Sequence, residues 1–294
     1  MWKSILYFLC MTMLFVLSSC KNRNLNYITY YNKVNDIDSI YRFKKDTQTV
    51  IKQYKKLFRQ YPPLNQYRIE EYETYIRLSD LQHKNFGGKK NLHKLMMLIA
   101  PYWEYKKKDS TLMSLLKKNN MSSKEMEQDI SQWKNKHNKI LIDSFTVAFK
   151  RDQDSRKNNF DIIKNDKKNA EMLKWMFANE GFPSIQKIGL WNKDLFIPTG
   201  PLLLHMADYD EYHQFFKNKI LEYVKSGECP PRDYAAMIDR YYLHVLKKEV
   251  PYGVYIGHQE IKDSATVNRN RKSIGLPTLN HTQLIVKENL RKKK

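Results

Sequence analysis

Apolar and polar positions alternate along most of this chain with the spacing of helices. Ile40, Phe43, Val50, Ile51, Tyr54, Leu57 and Phe58 fall on one face of a helical pattern that begins near Asp38. Pro62 and Pro63 stop it, because proline offers no N–H to continue the ladder. A second helix is expected over 66–83, where Ile69, Tyr72, Ile76 and Leu78 mix with Glu70, Glu71 and Glu73. Gly87 and Gly88 break the chain. Leu92, Leu95, Met96, Leu98, Ile99, Tyr102 and Trp103 mark another helix over 91–106, with Pro101 as a kink or stop. Ser110 is placed to cap a short helix ending at Lys118.

Beyond residue 120 the helical period continues. Ser122 and Glu125 form a capping-box pattern, in which each side chain can take the other's backbone N–H. Met126, Ile130, Trp133, His137, Ile140, Leu141, Phe145 and Phe149 follow on one face, which predicts one long helix. Leu173, Trp175, Met176 and Phe177 belong to the next, ended by Gly181. Residues 201–207 are the most apolar run after the first 20. Leu202, Leu203 and Leu204 point in three successive directions, so part of that turn must be buried. Asp208 and Glu211 make a second capping-box pattern, opening a helix to about Lys225 that Gly227 stops. Pro230 and Pro231 open another from Arg232 to about Lys247, and a final helix follows the segment 268–276. Tyr252–Gly257 reads as a short strand that pairs with 262–267. The expectation is a mainly α fold: a helical bundle with a minor β-hairpin or short strand near 251–267. It divides into an N-terminal helical region, 38–120, and a C-terminal helical domain, 121–294.

The first 20 residues change where this fold is placed. Lys3 precedes an apolar stretch, Ser4 to Val16, too short to span a bilayer as a mature helix. Leu17, Ser18, Ser19 and Cys20 then match a lipobox, and the segment resembles the signals of bacterial lipoproteins. That resemblance implies a signal peptide over 1–19, cleavage before Cys20, and acylation of its thiol, palmitate included. Two or more acyl chains anchor a protein stably. Residues 20–37 then read as a polar, lipidated tether, and the protein as a membrane-anchored component of the cell envelope, periplasmic or surface-facing. Cys10 leaves with the signal, so Cys229 stands alone and no intramolecular disulfide is possible.

Charge narrows the partners. The chain carries a formal +21, with the excess denser in its N-terminal part. Such a field favours anionic surfaces, among them phospholipid headgroups and an anionic envelope ligand. Export argues against intracellular DNA or RNA, so no nucleic-acid partner is expected. Abundant solvated lysine is the plainer account of the same charge.

Residues from about 149 to 280 carry a series of short polar elements. These are Asp152, Gln153 and Arg156; Asp166 and Asn169; Gly181, Phe182 and Pro183; His205 and Asp208; Asp239 and Arg240; Tyr252 and Gly253; and Arg271 ahead of Gly275 and Leu276. In order and spacing this stretch resembles an uncharacterised bacterial family, a domain of unknown function. The chain departs from that pattern at Tyr255, where a glutamine belongs, and at Asn268, where an acid belongs. The resemblance implies one helical domain with a polar cluster, and supplies no activity.

The candidate cluster is therefore Asp152, Arg156, Asp166, Asn169, His205, Asp208, Asp239, Arg240, Tyr252 and Arg271. Three readings compete. The groups fix the bundle's register as buried ion pairs and caps. Alternatively they line a pocket for an envelope ligand. In the third, His205 is the general base of a hydrolase-like enzyme, oriented by Asp208 or Asp239, with Arg156 or Arg240 holding an anionic group. His205 and Asp208 are expected within reach of Asp239 or Arg240. No His-Glu-x-x-His or paired-cysteine pattern exists, so no metal and no cofactor is expected. The leading expectation is a non-enzymatic binding or structural module, with the enzyme as the alternative.

Overall fold

The computed structural model describes residues 25–206, 208–257 and 260–291. The signal, the lipobox and Cys20 lie outside the described residues. Helices come first: α1 (Tyr27–Ser39), α2 (Thr47–Gln60), α3 (Glu71–Leu81), α4 (Gly88–Ile99), α5 (Ser110–Lys118) and α6 (Ser123–Asn135). They continue with α7 (Lys139–Asn158), α8 (Ile162–Asn179), α9 (Thr199–Met206), α10 (Asp210–Ser226), α11 (Pro231–His244), α12 (Ser264–Ser273) and α13 (Leu279–Arg291). The fold is mainly α with one minor hairpin. Its two strands, β1 (Trp191–Asn192) and β2 (Leu195–Phe196), pair antiparallel. The hairpin is thus at 191–196 and not at 251–267. There the chain makes bends held by side chains, then turns into α12.

Local chemistry explains the breaks. The capping box at Ser122 and Glu125 forms as expected, at the start of α6. The long helix expected over 126–149 is two. Asn138 interrupts it, because its side chain accepts the Leu141 N–H and caps a new helix. The amide thereby outcompetes continuation of an otherwise unbroken apolar stripe. Pro101 lies in a 3₁₀ turn, Ala100–Tyr102, that ends α4.

Residues 27–37, expected as tether, form most of α1 and are a correction to that reading. Tyr27, Tyr30, Tyr31, Val34 and Ile37 are buried. The tyrosines are apolar over their rings and polar only at the tip, so a stretch that reads as polar by composition still buries a face. Tyr30 donates from its hydroxyl to Glu71 Oε1 at 2.7 Å. The C-terminal segment closes over the other side of α1. Asn35 donates to the Gly275 carbonyl, and His281 Nε2 lies 2.7 Å from Asp38 Oδ2. Arg42 bridges Asp38 and Glu288. Gly275 sits at φ +89° with its Cα against Tyr31, where a Cβ would lie 2.6 Å from the Tyr31 Cβ.

One cluster of buried apolar side chains runs from Tyr27 to Ile285. The triple-leucine turn does as its pattern requires: Leu202, Leu203 and Met206 are buried and Leu204 is half-buried. That turn wedges α9 against α7, α8, α10 and α11, the helices that carry the polar cluster.

Candidate functional site

The polar residues singled out from the sequence separate into three linked groups. In the first, α7 contributes Asp152 and Arg156, four apart and so on one face. The turn of α8 contributes Asp166 and Asn169, and α9 contributes His205. Asp152 is fully buried. Its Oδ1 lies 2.7 Å from His205 Nδ1 and 3.3 Å from Arg156 Nε, and its Oδ2 accepts from Gln153. Arg156 Nη2 straddles both oxygens of buried Asp166 at 2.9 and 3.0 Å, and Tyr209 donates to the same carboxylate at 2.9 Å. Burial together with the Asp166 charge pushes the Tyr209 hydroxyl up, so it stays a donor.

The tautomer of His205 follows from these distances. Nδ1 is also 2.8 Å from Arg156 Nε, which always carries a hydrogen. One ring nitrogen cannot donate to Asp152 and accept from Arg156 at once. If it accepted, its lone pair would face the Asp152 carboxylate. Donation to Asp152 removes that repulsion and leaves both N–H groups aimed at one buried oxygen. Nε2 then carries the lone pair. The side chain of His205 is 14% exposed and that of Arg156 is 24% exposed, so the network is open at its rim.

The second group is Asp208 with Arg240. Arg240 donates from Nε and Nη2 to the Asp208 carboxylate at 2.7–3.1 Å, and from Nη1 to the Tyr255 hydroxyl at 2.9 Å. Asp208 therefore does not cap α10, as the sequence pattern suggested. Tyr209 occupies that cap position and makes no side-chain cap bond. The guanidinium offers Asp208 two charged donors, which are stronger than one backbone N–H. His205 in turn meets Asp152 and Arg156, and no bond joins it to Asp239 or Arg240, a second correction.

The third group holds the loop where a strand was expected. Buried Asp239 accepts the N–H groups of Tyr252, Val254 and Tyr255 at 2.8, 2.6 and 3.1 Å. Arg271, also buried, donates to the carbonyls of Tyr252 and Pro277 and to the Thr282 hydroxyl. A side-chain carboxylate has taken the place of a partner strand. Asn268, where an acid was expected, accepts the Leu279 N–H at 2.9 Å, a role for which an amide oxygen suffices.

Burial pushes Asp239 up to about 6, against the opposing pull of its three N–H donors and Arg271. It pulls Arg271 down to about 10. The folded state therefore holds a proton on Asp239 between about pH 4 and pH 6 that the unfolded chain has released. Stability from this group is complete below about pH 4 and is lost as pH rises through about 6, by roughly 3 kcal/mol at the unit-to-energy conversion. We expect the unfolding free energy of the wild type, relative to Asp239→Asn, to fall by about that much from pH 4 to pH 7 in urea titrations. A difference that stays flat or rises with pH would refute this.

Sequence reasoning missed several participants. Arg151 donates from Nη1 to Asn169 Oδ1 at 2.9 Å, while the buried Asn169 Nδ2 has no partner among the described residues. Arg151, Lys167, Lys168, Glu171, Met172 and Tyr212 line an open depression of about 530 Å³. Lys167 and Lys168 lie on the turn that also carries Asp166 and Asn169. Their positions follow from helical spacing, but a lysine pair in so basic a chain carries no signal of its own. Among the described residues no group of His, Cys, Asp or Glu side chains gathers as metal ligands. Cys229 is buried, and burial pushes its thiol up, away from nucleophilic use.

No family model matches the chain, and neither a curated protein nor a solved structure matches it. No helix among the described residues is long and apolar enough to cross a membrane.

Proposed function

We propose that this is a lipid-anchored cell-envelope protein whose C-terminal helices bind an anionic envelope ligand without chemically changing it. The observation that carries this reading is the direction in which the charges are used. Arg156, Arg240 and Arg271 spend their donors inward, on carboxylates and carbonyls that hold the helices in register. Arg151, Lys167 and Lys168 line the depression with Glu171; Arg151 also donates to Asn169 and Lys167 meets Glu211 at 3.4 Å, which leaves Lys168 without an ion-pair partner among the described residues. A concave surface with a positive rim concentrates anions.

The ligand can be identified by denaturing protein purified from its own cells and analysing what is released by mass spectrometry. An anionic compound should come off the wild type. It should be absent from a Lys168→Gln/Arg151→Gln variant that melts within a few degrees of wild type. Equal release from both would remove the depression from the reading.

A second reading is favoured by one observation, the Asp152–His205 pair, in which Nδ1 faces the carboxylate and Nε2 carries the lone pair. This is the geometry of a general base whose other nitrogen is oriented by a buried carboxylate. His205→Ala separates the two. It should leave ligand release intact if the site only binds. If His205 is the base of a hydrolase-like reaction, the variant should instead retain unreacted substrate. The lipid anchor has its own test: Cys20→Ser should abolish fatty-acid labelling of the chain.

A further inference from the structure

Trp191 and Phe196 face each other across the hairpin, with ring centroids 5.1 Å apart, and each is about half exposed. The other face of the strands does the folding work. Leu195 packs on the core, and Asn192 donates to the Thr146 hydroxyl of α7 at 2.8 Å. The aromatic pair therefore contributes little that a polar pair would not. On α7, the helix the hairpin docks on through Thr146, Ile140 and Val147 are also about half exposed and, seven residues apart, share one face of that helix. The strip is this helix face together with the aromatic pair.

The strip has a basic border. The segment leading into β1 runs along the α6–α7 junction: Trp133 Nε1 donates to the Gln186 carbonyl, and the Asn138 N–H donates to that of Lys187. Lys134, Lys136 and Lys139 at this junction are exposed, as is Lys193 at the hairpin turn. Asp143, Asp194 and Glu180, which accepts from Asn138, are the acids among them, against four lysines.

The segment leading into the hairpin is linked to the start of α1: Tyr27 packs against Gly227, Glu228 pairs with Lys187, and Lys187 is four positions from Trp191. The first described residue is Leu25. Four residues lie between it and Cys20, a span of at most about 18 Å. A lipid on Cys20 would hold this end near the bilayer.

We infer that the 191–196 hairpin and the adjoining strip of α7 are a membrane-contact surface. Trp191 and Phe196 enter at headgroup level, and the flanking lysines meet anionic phospholipid. Indole and phenyl rings partition to that depth, and juxtamembrane lysines favour anionic headgroups there. The orientation rests on the proposed anchor at Cys20, while the contact itself does not.

Two measurements test this. In the first, the full lipidated chain is reconstituted in phosphatidylethanolamine–phosphatidylglycerol vesicles with brominated acyl chains. Tryptophan emission should be quenched, and Trp191→Phe should remove most of that quenching. In the second, the chain from Lys21 onward, which keeps every described residue, is mixed with vesicles containing phosphatidylglycerol. Trp191→Ala/Phe196→Ala should weaken its partitioning at least tenfold, with an unchanged circular dichroism spectrum. Unquenched Trp191 in vesicle-bound protein overturns the inference, as does equal partitioning of the double variant. So does a wild type that sediments as a dimer while the double variant is a monomer, because the strip is then covered by a second copy. Failure of fatty-acid labelling at Cys20 would instead count against the anchor alone.

Discussion

Arg271→Ala should cost about 3–5 kcal/mol, the range for truncating a large buried side chain to alanine, and is expected to be among the most damaging single substitutions in the chain. Arg271 is only 2% exposed and is the largest of the fully buried side chains. Its guanidinium spans three elements. Nη1 reaches the Tyr252 carbonyl, Nε the Pro277 carbonyl and Nη2 the Thr282 hydroxyl, at 2.6–2.8 Å. Alanine strands all three acceptors and leaves a cavity, and cavity and lost hydrogen bonds both destabilise. It also removes the cation that helps hold the Asp239 charge. Arg271→Met keeps much of the volume and isolates the hydrogen bonds. Arg271→Lys keeps the charge but has no fork with which to reach three separate acceptors. We expect the order of loss Ala, then Met, then Lys, read from urea midpoints. A wild-type midpoint for Arg271→Lys would mean that charge alone matters there.

The same residue shows how much the sequence revealed. The helical period located most helices from α2 onward, because alternation of burial is written directly into residue type. The resemblance singled out Arg271 and Asp239, yet 252–257 was read as a strand. Tyr252, Val254, Tyr255 and Ile256 have strand-forming side chains, but β propensity reports fit to a neighbouring strand, and none pairs with them among the described residues. Asp239 on α11 supplies the acceptors, and no local pattern shows that a carboxylate 13 residues upstream will do so.

α1 was lost for the opposite reason. Its tyrosines and asparagines look solvated, and only distant partners, Tyr61 and Glu71 on one side and Gly227 and Gly275 on the other, make burial of their rings favourable. Asn138 and Asp208 are a matched pair of errors. A cap won over a long apolar stripe at Asn138, while at Asp208 a guanidinium won over a cap. In both cases the short-range pattern was real, and the stronger available partner decided. Within the polar cluster, type and order were legible, and so was the reach of Asp208 to Arg240, but the partner of His205 was not. His205 finds Asp152, 53 residues away, and not the neighbours its own helix suggested.

Arg156→Ala should rival the Arg271 substitution, with a loss of about 3–5 kcal/mol, because it leaves two buried carboxylates with one cation fewer. Asp152 is fully buried and Asp166 is 2% exposed. After the change Asp152 keeps His205 and Gln153, and Asp166 keeps Tyr209, all of them neutral donors when the imidazole is neutral. The Asp208–Arg240 pair offers an internal control. Its geometry is as good and its arginine no more exposed than Arg156, but the Asp208 carboxylate is 23% exposed where Asp152 and Asp166 are buried, so water can take the place of the lost guanidinium. Arg240→Ala should thus cost nearer 1 kcal/mol, the upper range of exposed pairs. Asp166→Asn tests the mechanism further. If the loss in Arg156→Ala comes from an uncompensated charge on Asp166, the double variant should recover part of it, with a coupling of about 0.5–3 kcal/mol in a double-mutant cycle. Simple additivity would mean that Arg156 acts through the packing of its methylene stem, and an Arg240→Ala loss as large as that of Arg156→Ala would mean that burial does not set the ranking.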